Sequence, residues 1–355
     1  MRGFVALLLA AAASPNTARA AFQSDTATTS AQFLSIGAGA RAAGMGSARS
    51  VCAAGPEAVY WNPAGLASQR SPEIAYSRAE LPQSVHHDYM ALALPLKWLG
   101  GVVGVSLTSL SQASIEKIDN AGVVRGAFSP HSQALAVAYG RNFSGGGTSA
   151  PKRTIFRQRW DRFEIEEVVD LAGPDEPLEG LRAGASAKVI SETLAERTAS
   201  SFAFDVGAMY RSHRHAALEI GGAVRNAGGR LRFIEESAPL PLESALGAAY
   251  TWNRERGRVL GAGELTVPLY GRPYLKLGAQ WEKFVGGGLA VVGRTGFHGR
   301  SVPDLGILSG LTVGAGMRLG GFACDLAFQP MGALGQSFHF GLGWRFSRTA
   351  SRGPA

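Results

Sequence analysis

Apolar residues alternate with small or polar residues in successive segments of about ten residues, from residue 71 onward. The segment 336–346 shows the alternation most clearly. One set of alternating positions is wholly apolar and consists of Phe338, Phe340, Leu342, Trp344 and Phe346. The other set is polar or tiny and consists of His339, Gly341, Gly343 and Arg345. Successive side chains of a β-strand point to opposite faces, so the pattern predicts strands with one apolar and one polar face.

Fourteen such segments can be counted along the chain. They lie near 72–80, 87–96, 101–111, 132–143, 181–192, 200–211, 215–226, 242–252, 257–267, 273–284, 287–298, 306–319, 322–329 and 336–346. An even number of alternating strands, joined by tight turns at one end and longer loops at the other, is typical of bacterial transmembrane β-barrels. We therefore predict an all-β fold, a 14-stranded antiparallel transmembrane β-barrel with both termini on the periplasmic side. A soluble β-sandwich is the alternative.

The polar faces decide between these two folds. They are rich in glycine and alanine and carry both signs of charge, whereas aromatic residues cluster at the ends of the apolar faces. Lipid outside and a polar lumen inside explain this better than a soluble core does. The candidate lumen-facing residues are Asp205, Arg211, Glu219, Arg225, Glu264, Lys276, Glu282, Arg294, Arg318, Asp325 and Arg345. Their carboxylates could form acid–base pairs, but the neighbouring arginines favour ion pairing, and we predict no catalytic residues and no enzyme.

One connection breaks the alternation of turns and loops. Residues 144–180 lie on the predicted short-turn side, yet they form the longest connection, with a basic run followed by an acidic run. A connection of this length without a function is uncommon. Two interpretations stay open: a solvated insertion, or a small ordered element on the periplasmic side that binds a partner.

The first twenty residues have the pattern of a secretory signal peptide. A positive Arg2 precedes an apolar run, 4–13, and a small-residue cleavage site, 18–20. The alternative is a buried helix at the start of a cytosolic domain. Export and a transmembrane barrel together predict a location in the bacterial outer membrane.

Charge and cysteine content narrow the function classes. The formal net charge is +8, and the positive residues are scattered rather than grouped, which argues against a nucleic-acid partner. The two cysteines, Cys52 and Cys324, are expected to be free thiols, because Cys324 falls on an outward face. The chain offers too few Cys and His residues at ligand spacing for a zinc site, and we expect no metal and no cofactor.

Residues 33–67 are rich in glycine and alanine without strand alternation. The stretch 37–42 matches the loose dinucleotide fingerprint, but that fingerprint needs a βαβ unit around it, which an all-β chain does not supply. Small residues instead suit a chain that threads a confined space against other backbones. Pro63 disfavours helical geometry at Asn62, so a short helix is expected to end there, and Gly65 is expected to reverse the chain.

Two sequence motifs carry a family resemblance. "FLSIGAGARAAGMGSA" (33–48), followed by "AVYWNPAGLA" (58–67), resembles the N-terminal signature of the PorV/PorQ family of bacterial outer-membrane proteins, related to the FadL-type transporters. The resemblance implies an N-terminal hatch segment, 21–70, inside a barrel, 71–347, that is followed by a tail, 348–355. The hatch-motif residues are Gly37, Gly39, Arg41, Gly44, Gly46, Tyr60, Trp61, Asn62, Pro63, Ala64 and Gly65.

The resemblance implies that hydrophobic or amphipathic small molecules pass through, or bind in, a hatch-plugged lumen. The alternative function is a non-enzymatic component of type IX-like protein secretion that binds secreted proteins at the outer membrane. The expected partners are outer-membrane lipid and either hydrophobic small molecules or secreted proteins. The sequence leaves the oligomeric state open.

Overall fold

The computed structural model describes residues 29–119, 122–143, 154–160, 163–169, 179–195, 197–212, 217–233, 237–254 and 256–346. The predicted signal peptide, 1–20, and tail, 348–355, lie outside the described residues.

Twenty β-strands are present in the described part of the chain. In chain order they are β1 (Glu73–Leu81), β2 (Val85–Leu96), β3 (Gly101–Gln112), β4 (Ile115–Ile118), β5 (Val124–Phe128), β6 (His131–Asn142), β7 (Thr154–Trp160), β8 (Phe163–Val169), β9 (Gly180–Leu194), β10 (Arg197–Arg211), β11 (Leu218–Gly228), β12 (Arg230–Arg232), β13 (Ser237–Pro239), β14 (Glu243–Arg254), β15 (Gly257–Pro268), β16 (Tyr274–Gly286), β17 (Leu289–His298), β18 (Leu311–Leu319), β19 (Phe322–Pro330) and β20 (Gln336–Arg345).

Fourteen of these strands close into one antiparallel barrel. The order around the wall is β1-β2-β3-β6-β9-β10-β11-β14-β15-β16-β17-β18-β19-β20, and β20 pairs with β1 to complete the ring. This confirms the predicted 14-stranded antiparallel barrel. Strand β1 begins and β20 ends at the same end of the barrel, which we call the terminus-side end. We call the opposite end the long-connection end, because most of the longer connections lie there, although the longest one, 144–180, lies at the terminus-side end.

The other six strands form three separate hairpins, β4–β5, β7–β8 and β12–β13. Hairpins β4–β5 and β12–β13 lie in the longer connections at the long-connection end. Hairpin β7–β8 lies in the insertion 144–180, and its register places Arg157 opposite Glu166 and Arg159 opposite Glu164. The backbone register thus places positions of the basic run opposite positions of the acidic run. A partner for the insertion stays a prediction.

Exposure along the wall alternates as the sequence predicts. On β10, the side chains of Phe202 and Phe204 are 65% and 57% exposed, whereas Asp205 between Phe204 and Val206 is 1% exposed. An outward apolar face needs lipid around it, because in water it would be one continuous hydrophobic surface. The polar residues of each strand therefore face the lumen.

The predicted strand 306–319 is wrong at its start. Residues before Leu311 form a short α-helix, Val302–Leu305, and a 3₁₀ helix, Ile307–Gly310, so Ile307 does not lie on a strand. Gly306 between them has a φ of +82°, a left-handed conformation that interrupts strand geometry. The apolar alternation of Ile307 with the following residues misled the prediction, because it continues through a segment whose backbone is not extended.

The helices are short. The α-helices are α1 (Ala40–Gly44), α2 (Ala58–Trp61) and α3 (Val302–Leu305). The 3₁₀ helices span Gln32–Ser35, Pro63–Ser68, Pro82–Ser84, Lys97–Leu99, Ile307–Gly310 and Gly332–Leu334. Within the described ranges, no helix combines the length and the hydropathy needed to cross a membrane.

Residues 30–69, which we call the inner segment, contact hairpin β12–β13 at one end of the barrel and the wall at the other. At the long-connection end, the backbone N–H of Ser30 donates to the carbonyl of Pro239 at 2.9 Å. At the terminus-side end, the chain leaves the inner segment near Gln69, whose side chain donates to Glu73 at 2.9 Å, and enters β1. Most side chains of the inner segment are buried.

Candidate functional site

Three glycines form a row on the inner surface of the wall. Gly140 on β6, Gly184 on β9 and Gly207 on β10 are register partners across neighbouring strands. A Cβ atom at Gly140 would lie 2.5 Å from the carbonyl oxygen of Pro63, and one at Gly184 or Gly207 would overlap Pro63 or Asn62. Because these positions lack side chains, the backbone of the inner segment packs directly against the wall.

A second pair of glycines supports the inner segment on strands β16 and β17. Gly278 and Gly296 are register partners, and a Cβ at Gly278 would lie 2.5 Å from the carbonyl oxygen of Met45. A Cβ at Gly296 would overlap Gly46, whose own φ of +59° favours glycine. The backbone N–H of Gly46 donates to the Thr312 hydroxyl on β18 at 3.0 Å. The inner segment is thus held against two well-separated parts of the wall.

Asn62 connects three backbone groups. Its Nδ2 donates to the carbonyls of Ser50, at 2.7 Å, and of Gly222 on β11, at 3.2 Å. Its Oδ1 accepts from the N–H of Ala64 at 3.0 Å and so caps the 3₁₀ helix that begins at Pro63. Asn62 and Ala64 are both 0% exposed. The side chain therefore satisfies polar groups within the inner segment and one on the wall, in a place without solvent access.

Tyr60 and Trp61 hold the first part of the inner segment in place. The Tyr60 hydroxyl donates to the carbonyl of Leu34 at 2.7 Å and accepts from the N–H of Gly37 at 3.0 Å. The Trp61 indole N–H donates to the carbonyl of Ala38 at 2.8 Å. The two rings meet edge to face with their centroids 4.9 Å apart, a favoured aromatic geometry.

A group of charges joins Trp61 and Ser50 to the wall. The guanidinium of Arg225 and the ammonium of Lys276 lie 5.0 and 5.4 Å from the centroid of the Trp61 ring. Lys276 pairs with Glu264 at 2.8 Å, and the other oxygen of Glu264 accepts from the N–H of Ser50 at 2.8 Å. Lys276 and Glu264 are nearly inaccessible to solvent, so this link is a desolvated one.

The predicted lumen-facing residues are brought together mostly as ion pairs. The pairs are Lys188–Asp205, Arg182–Glu219, Arg225–Glu243, Lys276–Glu264, Arg258–Glu282, Arg318–Glu282, Arg294–Asp325 and Arg345–Glu73. Arg211 is buried and interacts electrostatically with Arg182.

Several partners in these pairs were missed by the sequence reasoning. They are Glu73, Arg182, Lys188, Glu243 and Arg258. Each occupies an inward position under the alternation that identified the others, so the signal was present. The strand register, which decides which inward charges become neighbours, cannot be obtained from one strand's sequence.

A β-bulge between β10 and β11 is built around Asp205. The carboxylate accepts from the hydroxyl of Ser186 at 2.9 Å and from the N–H of Asn226 at 2.8 Å, and it pairs with Lys188 at 2.9 Å. Asn226 has a φ of +60°, and its side-chain oxygen accepts from Lys188 at 2.6 Å. The network offsets the strain of a left-handed non-glycine residue in the wall.

Glu57 and the arginines near it occupy the middle of the inner segment. Glu57 lies 3.8 Å from Arg49, and a Cβ at Gly39 would overlap the Glu57 carboxylate. Gly37 and Gly39 have φ values of +99° and +94°. Burial raises the pKa of the Glu57 carboxyl, and the positive charges of Arg49 and Arg41 offset part of this rise.

The remaining hatch-motif residues make close approaches. A Cβ at Gly44 would lie 3.1 Å from the Cα of Gly314 on β18. Gly65 lies inside the 3₁₀ helix and does not have a positive φ, so it does not reverse the chain as expected. A Cβ at Gly65 would overlap the carbonyl of Ala53, and glycine is required there by this contact.

An apolar cluster lies at the long-connection end. Phe33 and Leu34 of the inner segment are 2% and 3% exposed. They pack on small and branched residues of the wall and of hairpin β12–β13, namely Ala134, Ile190, Ala199, Ala203, Leu231 and Leu240. The cluster packs the start of the inner segment on the wall near this end.

Other chemistry is sparse in the described residues. They contain no group of three or more His, Cys, Asp and Glu side chains that could hold a metal ion. Cys52 is buried, Cys324 is partly exposed, and both are free thiols.

Comparisons with known proteins identify the fold. No protein-family model matches the chain, and no curated protein matches it. Among solved structures, the toluene transporter TodX of Pseudomonas putida matches with a TM-score of 0.53 and 11% identity, over 88% of this chain and 99% of that one. The toluene transporter TbuX of Ralstonia pickettii matches with a TM-score of 0.51 and 12% identity, over 88% and 99%. The monoaromatic hydrocarbon channel CymD matches with a TM-score of 0.51 and 10% identity, over 88% and 98%.

These identities are low, so the matches establish a shared barrel architecture. The chain spans nearly the whole length of each matched structure. A closed 14-stranded wall, an apolar exterior and a polar interior are the features of outer-membrane barrels. The protein has the architecture of a β-barrel of the bacterial outer membrane.

Proposed function

We propose that the protein is a non-enzymatic channel that passes hydrophobic small molecules across the outer membrane, with the inner segment acting as a hatch. One observation carries this proposal: the backbone of Pro63 and the side chain of Asn62 pack on the glycine row Gly140, Gly184 and Gly207. An inner segment that sits this closely on the wall fills the lumen there and blocks free diffusion. Passage then requires the segment to move.

The character of the lumen supports a hydrophobic ligand. Phe33 and Leu34 pack on apolar residues near the long-connection end, so displacement of the inner segment would uncover an apolar surface that suits an apolar molecule. The matched structures of similar architecture include proteins described as toluene transporters and a monoaromatic hydrocarbon channel. Their ligands indicate which class of molecule to test first.

Uptake of labelled toluene by Gram-negative cells that express the protein tests this function. We expect faster uptake than in cells with an empty vector. We also expect Phe33→Asp, which places a charge in the buried apolar cluster and so loosens the inner segment, to raise the uptake further. The matched control is Phe143→Asp, because Phe143 is 60% exposed at the terminus-side end of the barrel exterior. Equal uptake with and without the protein, at matched expression, would refute the channel function.

The finer assignment to the PorV/PorQ type rests on the two N-terminal motifs. A role in protein secretion is the second candidate function, and hairpin β7–β8 is the observation that favours it, because a paired hairpin within the insertion 144–180 offers a secreted protein a segment to bind. The test is co-purification of secreted proteins with the tagged full-length chain. We expect binding to be lost when residues 154–169 are deleted, and binding that survives this deletion would argue against the hairpin as the contact.

A further inference from the structure

Strands β14 and β16 repeat one short pattern where they reach the terminus-side end of the barrel. Each carries a tryptophan, one further residue and then a cation: Trp252 and Arg254 on β14, and Trp281 and Lys283 on β16. The two strands run toward the same end, and β15 lies between them. Residues two apart on a strand share a face, so each tryptophan lies on the same face as its cation.

The strand register places the two cations on either side of one glycine. Arg254 and Lys283 are both register partners of Gly257 on β15. Neighbouring strands are about 4.8 Å apart, so the backbones of the two cationic positions are separated by about 10 Å. A Cβ at Gly257 would overlap the carbonyl oxygen of Glu282, so no side chain fills the position between the cations. Two long basic side chains can reach a common point across this gap.

The two tryptophans form the next row toward the middle of the wall. Trp252 and Trp281 are both register partners of Val259 on β15, and they are 46% and 52% exposed. Glu282, which follows Trp281, is buried in the lumen, so the tryptophan faces outward. The rings of Trp252 and Tyr250 have their centroids 4.5 Å apart. Outward aromatic residues at the end of an apolar face lie where lipid chains meet head groups.

The two cations lie beyond the tryptophans, at the level of the head groups. Arg254 and Lys283 are exposed, and neither forms an ion pair with another residue that the structure describes. The backbone N–H of Phe284 donates to the carbonyl of Arg256 at 2.9 Å, which holds the turn after β14 against the end of β16. The two positive charges therefore attract an anion at one place on the rim.

We propose that this outward face of β14–β16 binds one anionic phospholipid. The phosphate of the lipid lies between Arg254 and Lys283, and its acyl chains lie along Trp252 and Trp281. Guanidinium and ammonium groups both donate charge-assisted hydrogen bonds to phosphate oxygens, and basic side chains near a membrane surface attract anionic lipid. The site is on the outside of the barrel, so it does not depend on the passage of small molecules through the lumen.

Arg141 is an exposed arginine at the same end that lacks this arrangement. It lies on the outward face of β6, because Gly140 before it faces the lumen, and its register partner on β9 is Ala183. Its guanidinium lies 5.7 Å from the centroid of the Phe143 ring. A single cation attracts anionic lipid but offers no second donor group to the same phosphate. Arg141 therefore provides the matched control.

Native mass spectrometry of the purified full-length protein, released from a detergent without phosphate groups, tests the site with added phosphatidylglycerol. We expect one molecule to stay bound under conditions that remove phosphatidylcholine with the same acyl chains. We expect Arg254→Gln and Lys283→Gln each to lower the affinity at least about fivefold, and Arg141→Gln less than about twofold, because only the first two remove a charge-assisted contact. The heat-dependent gel shift of folded barrels shows whether each variant has folded.

Three results would overturn the proposal. Equal retention of phosphatidylglycerol and phosphatidylcholine by the wild-type protein would mean that this face holds ordinary boundary lipid. Equal losses of affinity for Lys283→Gln and Arg141→Gln would mean that the paired cations form no site. A protein dimer that Lys283→Gln dissociates would assign the face to a second copy of the chain.

Discussion

Removing the Asn62 side chain is expected to loosen the inner segment without opening the barrel wall. Asn62→Ala deletes three hydrogen bonds, to Ser50, to Gly222 and from Ala64, all at a site with no solvent access. Only the bond to Gly222 joins the segment to the wall, and such a bond contributes roughly 0.5–1.5 kcal/mol net, so the docked state loses about 1 kcal/mol. At about 1.4 kcal/mol per tenfold, the ratio of displaced to docked segment rises roughly fivefold.

Ion conductance in planar bilayers measures this displacement. The wild-type protein should open rarely, and Asn62→Ala should increase the open fraction roughly fivefold. The matched control is Asn253→Ala, because Asn253 is exposed near the tight connection between β14 and β15. Barrel integrity is checked separately by the heat-dependent gel shift of folded barrels. If Asn62→Ala conducts like the wild type while its barrel is intact, the assignment of Asn62 as an anchor of the inner segment is wrong.

Three further substitutions test separate parts of the interior. Gly184→Val would push a side chain into Pro63 and lower the stability of the docked state by roughly 1–3 kcal/mol, so the conductance should increase. The matched control is Gly293→Val, because a Cβ at Gly293 meets only a Trp281 ring atom, at 3.9 Å, and this variant should conduct like the wild type. Glu264→Ala leaves Lys276 buried without its carboxylate and should destabilise the protein by about 3–5 kcal/mol in denaturant titrations. Adding Lys276→Met to that variant should recover most of the loss, and no recovery would contradict the pairing. Asp205→Ala should lower the denaturation midpoint as well, because three buried donors lose their acceptor at the β-bulge, and an unchanged midpoint would count against that network.

The barrel could be predicted from the sequence because its signal is local. Alternation along one strand, as in 336–346, reveals both faces of that strand without reference to the rest of the chain. The error at 306–310 arose where the same local signal continued into a helical segment. Gly306 and its left-handed φ mark the boundary there, but glycine is also common within the strands of this chain, so it did not stand out.

The arrangement of the interior could be predicted only in part. Inward residues such as Asp205 and Arg294 were found by their place in the alternation of apolar and polar positions. Their partners depend on the strand register and on the closure of the barrel. The glycines that contact the inner segment could not be singled out from the sequence either. Gly140, Gly184 and Gly207 resemble many other small inward residues in the sequence, and only the register aligns them into the row under Asn62. The contacts of the inner segment join positions 160 residues apart and more, such as Asn62 with Gly222.

We propose that the inner segment closes the lumen. Its most direct test is the bilayer conductance of the full chain compared with a variant that lacks residues 33–67, after both have been shown to contain a folded barrel. We expect a nearly silent wild-type protein and a large, continuously open pore for the deletion variant. A folded deletion variant that stays sealed would contradict it.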